Sequence, residues 1–129
     1  VAEDITLYEL LGGEPAVHAL VDRFYDLMDA LPEAAPLRAM HPVELSRSRQ
    51  RLFEFLSGWL GGPGLYMERH GHPRLRSRHT PFPIDQAATD QWMLCMRQAL
   101  VEQIPDDGLR LTLEGAFRHL AGHMRNLPE

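Results

Sequence analysis

The chain has 129 residues, 44% of them apolar, and its 13 basic and 18 acidic side chains give a formal net charge of −5. That length fits one domain over residues 1–129, and the acidity argues against nucleic acid as the main partner. Cys95 is the only cysteine, which excludes an intrachain disulfide and a cysteine metal cluster, and no run reaches the roughly 18 apolar residues of a membrane span.

Taken in order, Asp4 to Leu11 reads as a short first helix, stopped by Gly12-Gly13, since glycine suits the left-handed residue past a helix end. Glu14 to Leu31 is a second helix. Its apolar residues Val17, Leu20, Val21, Phe24, Leu27/Met28 and Leu31 recur every three or four positions, with Tyr25 at the edge of that face. Pro32 to Met40 reads as a turn and a short helical piece, and His41-Pro42 as a break, because a residue before proline avoids the helical region. Pro42 to Leu60 is a third helix, with Leu45, Ser48, Leu52, Phe55/Leu56 and Trp59 facing in and Arg47, Arg49 and Arg51 on its flanks. Gly61-Gly62-Pro63-Gly64 is a strong stop.

The stretch from His70 to Ile84 follows. It holds three of the seven histidines, three of the 13 basic residues and three of the ten prolines. Pro81 and Pro83 forbid a regular helix just after His79. A fourth helix runs from an Asp85 N-cap to about Gln103, with Ala88, Trp92, Cys95/Met96 and Ala99/Leu100 facing in. Pro105 to Gly108 reads as a turn. Leu111 to Leu127 is a fifth helix, with Leu113, Ala116/Phe117, Leu120/Ala121 and Met124 facing in. No segment alternates like a strand, so the expected fold class is all-α. The N-terminus shows no basic-then-apolar signal pattern, and a lone unpaired cysteine suits a reducing compartment. A cytoplasmic location is therefore expected.

Several histidines are candidate metal ligands. His119 and His123 lie one helical turn apart, but no acidic residue or cysteine on that helix clearly completes a set of three or four. His70 and His72 flank a glycine and could bind copper as a short His-x-His, but a loop with ring-to-backbone hydrogen bonds is the better reading. His79 has a different setting. An iron porphyrin needs a neutral imidazole on the metal, apolar walls, and cations for two carboxylates. Leu75 and Phe82 offer walls, and Arg76 and Arg78 offer cations of the shape that best holds carboxylates. Tyr25 and Trp92 each put one hydrogen-bond donor on an apolar helix face, where a buried donor normally finds a partner. His41 adds a third polar group. An all-α interaction protein whose histidines bind zinc or nothing is the reading without a porphyrin.

The motif Gly71-His72-Pro73-x-Leu75-Arg76-x-Arg78-His79-x-Pro81-Phe82 is specific. With Leu7-Tyr8, Gly12-Gly13, Arg23-Phe24-Tyr25, Gly61-Gly62-Pro63, Tyr66 and Asp90-x-Trp92-x-x-Cys95-Met96, it resembles the truncated haemoglobins of group II, the O-type two-on-two globins. The resemblance runs from about Thr6 to Asn126. It implies a globin-like two-over-two helical sandwich around haem b. It places His79 as the proximal iron ligand, and Tyr25, Trp92 and His41 on the distal side. His41 stands where many members carry tyrosine or phenylalanine, and Leu52 where some carry glutamine. Ser48 falls at the usual gate. Arg51, Tyr66, His72 and Arg78 match positions that tend to meet the propionates, and Phe24 and Phe55 join the haem pocket. The implied function is reversible binding of O2 and other diatomics to ferrous haem. Two or three distal donors imply slow O2 release, which suits a redox or sensing role better than bulk oxygen transport. The enzymatic alternative is a peroxidase-like or nitric oxide dioxygenase-like activity fed by an external reductase. Neither nucleic acid nor membrane is an expected partner, and the expected state is a monomer or a homodimer.

Overall fold

The computed structural model describes residues 5–79 and 81–126, except for the Arg76 side chain. Eight α-helices are present among these residues, with no strand: α1 (Leu7–Leu11), α2 (Glu14–Ala30), α3 (Ala35–Ala39), α4 (Ser46–Trp59), α5 (Leu65–His70), α6 (Leu75–His79), α7 (Gln86–Gln103) and α8 (Asp107–His123). A 3-10 turn, Pro32–Ala34, leads into α3. No helix among the described residues is long and apolar enough to cross a membrane.

The long helices pack as two layers. α2 lies against α7 and α4, and α7 lies against α8. Val17, Leu20, Val21 and Phe24 of α2 are almost fully buried, as are Leu56 of α4, Met96 and Leu100 of α7, and Leu113 and Phe117 of α8. Burying one such side chain contributes about 1.5–3 kcal/mol, so the shared core holds the layers together. Helix starts are fixed by side chains that satisfy the free N–H groups of a first turn. Thr6 and Glu9 form a reciprocal capping box on α1. Asp85 accepts from the Ala88 N–H at 2.9 Å, and Asp106 from the Leu109 N–H at 2.8 Å. Gly12 ends α1 at φ +125°, and Gly62 lies so close under the Tyr8 ring that a Cβ there would sit 2.5 Å from it.

Four boundaries differ from the sequence reading. At the first helix Asp4 lies outside the described residues, and Ile5 and Thr6 precede the helix. α4 begins at Ser46 rather than Pro42. The Pro42 and Val43 carbonyls, which a longer helix would use, instead accept from the Arg38 guanidinium, and the Glu44 carboxylate takes the Ser46 N–H. α8 begins at Asp107, because Asp106 caps it within the expected turn, and it ends at His123; Leu127 lies outside the described residues. α5 and α6 are additional, each too short to show a helical period.

The inner face of α4 also carries a charge. Glu54 is 3% exposed. It accepts from Arg69 at 2.6 Å, from His70 Nε2 at 2.8 Å and from Gln50 at 3.1 Å. Burial works against its ionisation, but these donors outweigh it and hold the carboxyl at about 2. The folded-state value is therefore depressed. The stabilisation is present above the ordinary carboxylate range and fades as pH falls toward 2. Glu54→Gln should cost about 2 kcal/mol at pH 7, since one pKa unit is roughly 1.4 kcal/mol and Arg69 is half exposed. Urea unfolding at pH 7 and at pH 3 checks this, and an equal deficit at both would contradict it.

Candidate functional site

A cavity of about 440 Å³ opens between α4, α6, α7 and α8. Its walls are mostly apolar: Leu37, Met40, Leu52, Phe55, Leu75, Phe82, Ile84, Ala88, Leu120, Ala121 and Met124. That size and lining suit a small-molecule or cofactor site. The polar groups reaching it are few: Tyr25, His41, Arg47, Ser48, Arg51, Tyr66, Arg78, His79, Thr89 and Trp92.

His79 ends α6, half-buried. Its Nδ1 lies 2.6 Å from the Leu75 carbonyl oxygen, one turn back. A carbonyl only accepts, so Nδ1 carries the proton and Nε2 keeps a bare lone pair, the form a metal needs. The segment after His79 is fastened by Asn126. Its side-chain nitrogen donates to the carbonyls of His79 (3.1 Å) and Phe82 (2.9 Å), and its oxygen accepts from the Ile84 N–H at 2.9 Å.

The structure brings Tyr25, His41 and Trp92 to the same cavity. Tyr25 is buried on α2, with its ring edge-on to Phe24 at 5.0 Å and the Arg49 guanidinium 5.8 Å above it. Burial pushes its phenol well above the usual tyrosine range, so the O–H stays a donor. Trp92 is half-buried on α7, tilted against Phe24 and Phe117. Among the described residues neither the Tyr25 hydroxyl nor the Trp92 indole N–H has a hydrogen-bond partner, and neither is a sealed, unsatisfied atom. Both donors are therefore available to a cavity occupant. His41 Nδ1 lies 3.0 Å from the Leu37 carbonyl oxygen. Burial lowers the pKa of His41, with Arg38 and His79 adding to the effect, so the ring is neutral near pH 7. Neutral His41 then presents Nε2 as an acceptor. Of the three expected distal groups, Tyr25 and Trp92 are therefore the donors at neutral pH, and His41 is an acceptor.

Other expected positions divide. Ser48, Arg51, Leu52, Phe55, Tyr66, Leu75, Arg78 and Phe82 line the cavity. Arg78 donates to the Pro73 carbonyl at 2.8 Å and lies 5.9 Å over the Tyr66 ring. Phe24 does not line it but sits fully buried behind Tyr25 and Trp92. His72 does not reach it either: the ring is exposed, and its Nδ1 accepts from the Arg74 N–H at 3.0 Å, at a residue with φ +48°. The Arg76 side chain lies outside the described residues. His119 and His123 are both exposed, and among the described residues no group of three metal-ligating side chains forms. Arg47, Gln91, Arg38 and Asn126 were not singled out by sequence reasoning. Arg47 lies one helical turn from Arg51, and that spacing was the one available signal.

An apolar cavity with the lone pair of His79 Nε2, arginines that make no ion pair among the described residues, and the Tyr25 and Trp92 donors fits a haem, and it defines a helical haem-protein fold. The bacterial-like globin model matches residues 6–126, and the chain belongs to that family. A cold-adapted truncated haemoglobin from Pseudoalteromonas haloplanktis TAC125 is 52% identical, with a TM-score of 0.93 over 95% of this chain and 99% of that one. The group II 2-on-2 haemoglobin of Agrobacterium tumefaciens is 50% identical, with a TM-score of 0.92 over 97% of each chain. A truncated oxygen-avid haemoglobin from Bacillus subtilis is 38% identical, with a TM-score of 0.85 over 95% of this chain and 100% of that one. Within the globins the chain is thus a group II truncated haemoglobin, with the two-on-two fold and a haem cofactor.

Cys95, on the face of α7 turned to the core, is fully buried, and burial alone pushes its thiol up to about 11. It should resist iodoacetamide at pH 8 in the native protein and react after denaturation. Rapid native labelling, followed by mass spectrometry, would contradict that burial.

Proposed function

We propose that the protein binds O2 and similar diatomic molecules reversibly at a haem held by His79, and releases O2 slowly. The observation that carries this reading is the pair of unpartnered donors, Tyr25 and Trp92, in the cavity that His79 shares. When bound, the haem supplies a ferrous iron with one position open to a diatomic guest. Leu75 orients the His79 ring through Nδ1 and leaves Nε2 to the metal. Arg51 and Arg78, with Arg47, offer guanidinium groups to the two carboxylates. Tyr25 and Trp92 donate to the guest from fixed positions. Fixed donors stabilise developing negative charge without solvent reorganisation. The oxygen avidity named for the Bacillus subtilis relative supports slow release here.

A second reading is redox catalysis on peroxide or nitric oxide, with electrons from a separate reductase. The bare Nε2 of His41 favours it, because a neutral imidazole beside the guest can take a proton from peroxide. Steady-state turnover with peroxide or nitric oxide separates the two readings.

His79→Gly should abolish stable hemin uptake, and added imidazole should restore it; a normal five-coordinate ferrous spectrum in the variant without imidazole would overturn the assignment. Tyr25→Phe should speed O2 release by about ten- to a hundredfold, the effect of losing one charge-assisted hydrogen bond of roughly 1.5–3 kcal/mol. Stopped-flow displacement of O2 measures it, and an unchanged rate would remove Tyr25 from the mechanism.

A further inference from the structure

The three polar groups above the proposed iron site come from three different segments: Tyr25 from α2, Trp92 from α7 and His41 from the connector after α3. All three segments converge on α3, which is five residues long. A helix that short is not stable by itself. It also lacks its own cap, since its N-cap residue is Ala34 and no side chain caps it locally.

The first turn of α3 is closed from α7, and its last turn by the connector that follows it. The Leu37 N–H, a free donor of the first turn, donates to Gln91 Oε1 at 3.0 Å. Gln91 is the residue before Trp92 on α7. The Leu37 carbonyl accepts from His41 Nδ1 at 3.0 Å. One buried residue thus ties α7 to the His41 ring through the two polar groups of its backbone. The neighbouring Arg38 makes the third tie. Its Nε donates to Asp29 Oδ1 at 2.7 Å, and its Nη1 and Nη2 donate to the carbonyls of Pro42 (2.9 Å) and Val43 (2.8 Å). Asp29 lies one helical turn beyond Tyr25 on α2. The guanidinium therefore pins the chain just after His41 to the helix that carries Tyr25. Its planar fork meets three acceptors at once, which an ammonium on a flexible stem does not reproduce.

We propose that Arg38 and Gln91 are positioning residues that hold Tyr25, His41 and Trp92 in one register, with Gln91 also fixing the His41 tautomer through Leu37. The effect on a bound guest rests on the haem reading above. The effect on His41 does not, and it can be read in the apoprotein.

The test compares the native chain with Arg38→Ala, Arg38→Lys, Gln91→Met and Gln91→Glu. Asp29→Ala is a milder companion, because it removes an exposed anchor and leaves α3 untouched. In the apoprotein, nitrogen-15 NMR of the assigned His41 ring should show a single tautomer protonated at Nδ1. Arg38→Ala, Asp29→Ala and Gln91→Met should give a mixture. Gln91→Glu keeps the acceptor oxygen and should restore the single form, whereas Arg38→Lys should not. In the CO complex of the haem-loaded protein, the native chain should show a single C–O stretching band, and the same three variants should split it. Their O2 release should accelerate by about three- to tenfold, the scale of one misaligned hydrogen bond. Variants that lose thermal stability but keep one tautomer and one C–O band would overturn the proposal and leave these residues a purely structural role. A native chain that takes up no haem would sink the haem reading, while the apoprotein arm would still decide the positioning of His41.

Discussion

A neutral histidine ring offers a metal one nitrogen, and a bond to the other decides which one and where it points. In this protein the Leu75 carbonyl holds Nδ1 of His79, and that contact has two consequences. It fixes the tautomer, and it fixes the angle of the ring relative to α6. A carbonyl one turn back along a short helix can do this only if the helix itself is steady. α6 owes that steadiness to contacts outside it: the Arg78 bond to the Pro73 carbonyl on one side and the Asn126 bonds to the His79 and Phe82 carbonyls on the other. The prolines after His79 stop the helix there, so the ring stands at its end, and Phe82 and Ile84 continue along the cavity wall.

The remainder of the cavity is arranged to keep a few polar groups without a protein partner and open to the cavity. Burial makes such groups costly unless a partner is present. Tyr25 and Trp92 accept that condition because rigid aromatic packing holds them. Tyr25, Phe24, Trp92, Phe117 and Trp59 form a continuous series of ring contacts, each with centroids 5.0–5.9 Å apart. Neither donor can swing into the core to find a bond. His41 is satisfied differently, with one nitrogen bonded locally and the other left as a lone pair.

Much of this was legible in the sequence, and the exceptions have physical causes. α2 shows a clear period because one continuous face of it is buried, whereas α7 packs against both α2 and α8 and its period is weaker. The start of α4 was misplaced because the Arg38 side chain of α3 takes the Pro42 and Val43 carbonyls, four and five residues on, that would have begun it, a side-chain contact that hydrophobic periodicity does not record. Glu54 reads as an ordinary charged helix residue, yet it is buried, because its partners lie on α5, 15 and 16 residues further along. All four of Tyr25, His41, Trp92 and His79 line the cavity; Tyr25 and Trp92 were legible because a donor on an apolar helix face is rare, and His41 and His79 through the family resemblance. Phe24 shows the limit of that reasoning. Successive helix residues point about 100° apart, so Phe24 and Tyr25 do not both face one cavity, and the apolar residue of the pair goes to the core. Asn126 and Gln91 act through backbone groups distant in sequence and carry no motif.

The arginines of α4 show how helical phase sorts like residues into different roles. Arg49 faces α2, where it meets Asp26 at 2.8 Å and Asp22 at 3.3 Å. Arg47 and Arg51 lie one turn apart on another face and line the cavity. Among the described residues neither makes an ion pair, although the chain as a whole has an excess of acid. Exposed pairs contribute little, so an unpaired surface arginine alone means nothing. Two unpaired arginines with Arg78, around a cavity whose walls are otherwise apolar, are another matter. Among the described residues no carboxylate lines the cavity, so an occupant that brings its own counter-charge suits it. A planar, apolar molecule bearing two carboxylates meets both requirements, and the same arginines then set which way round it enters.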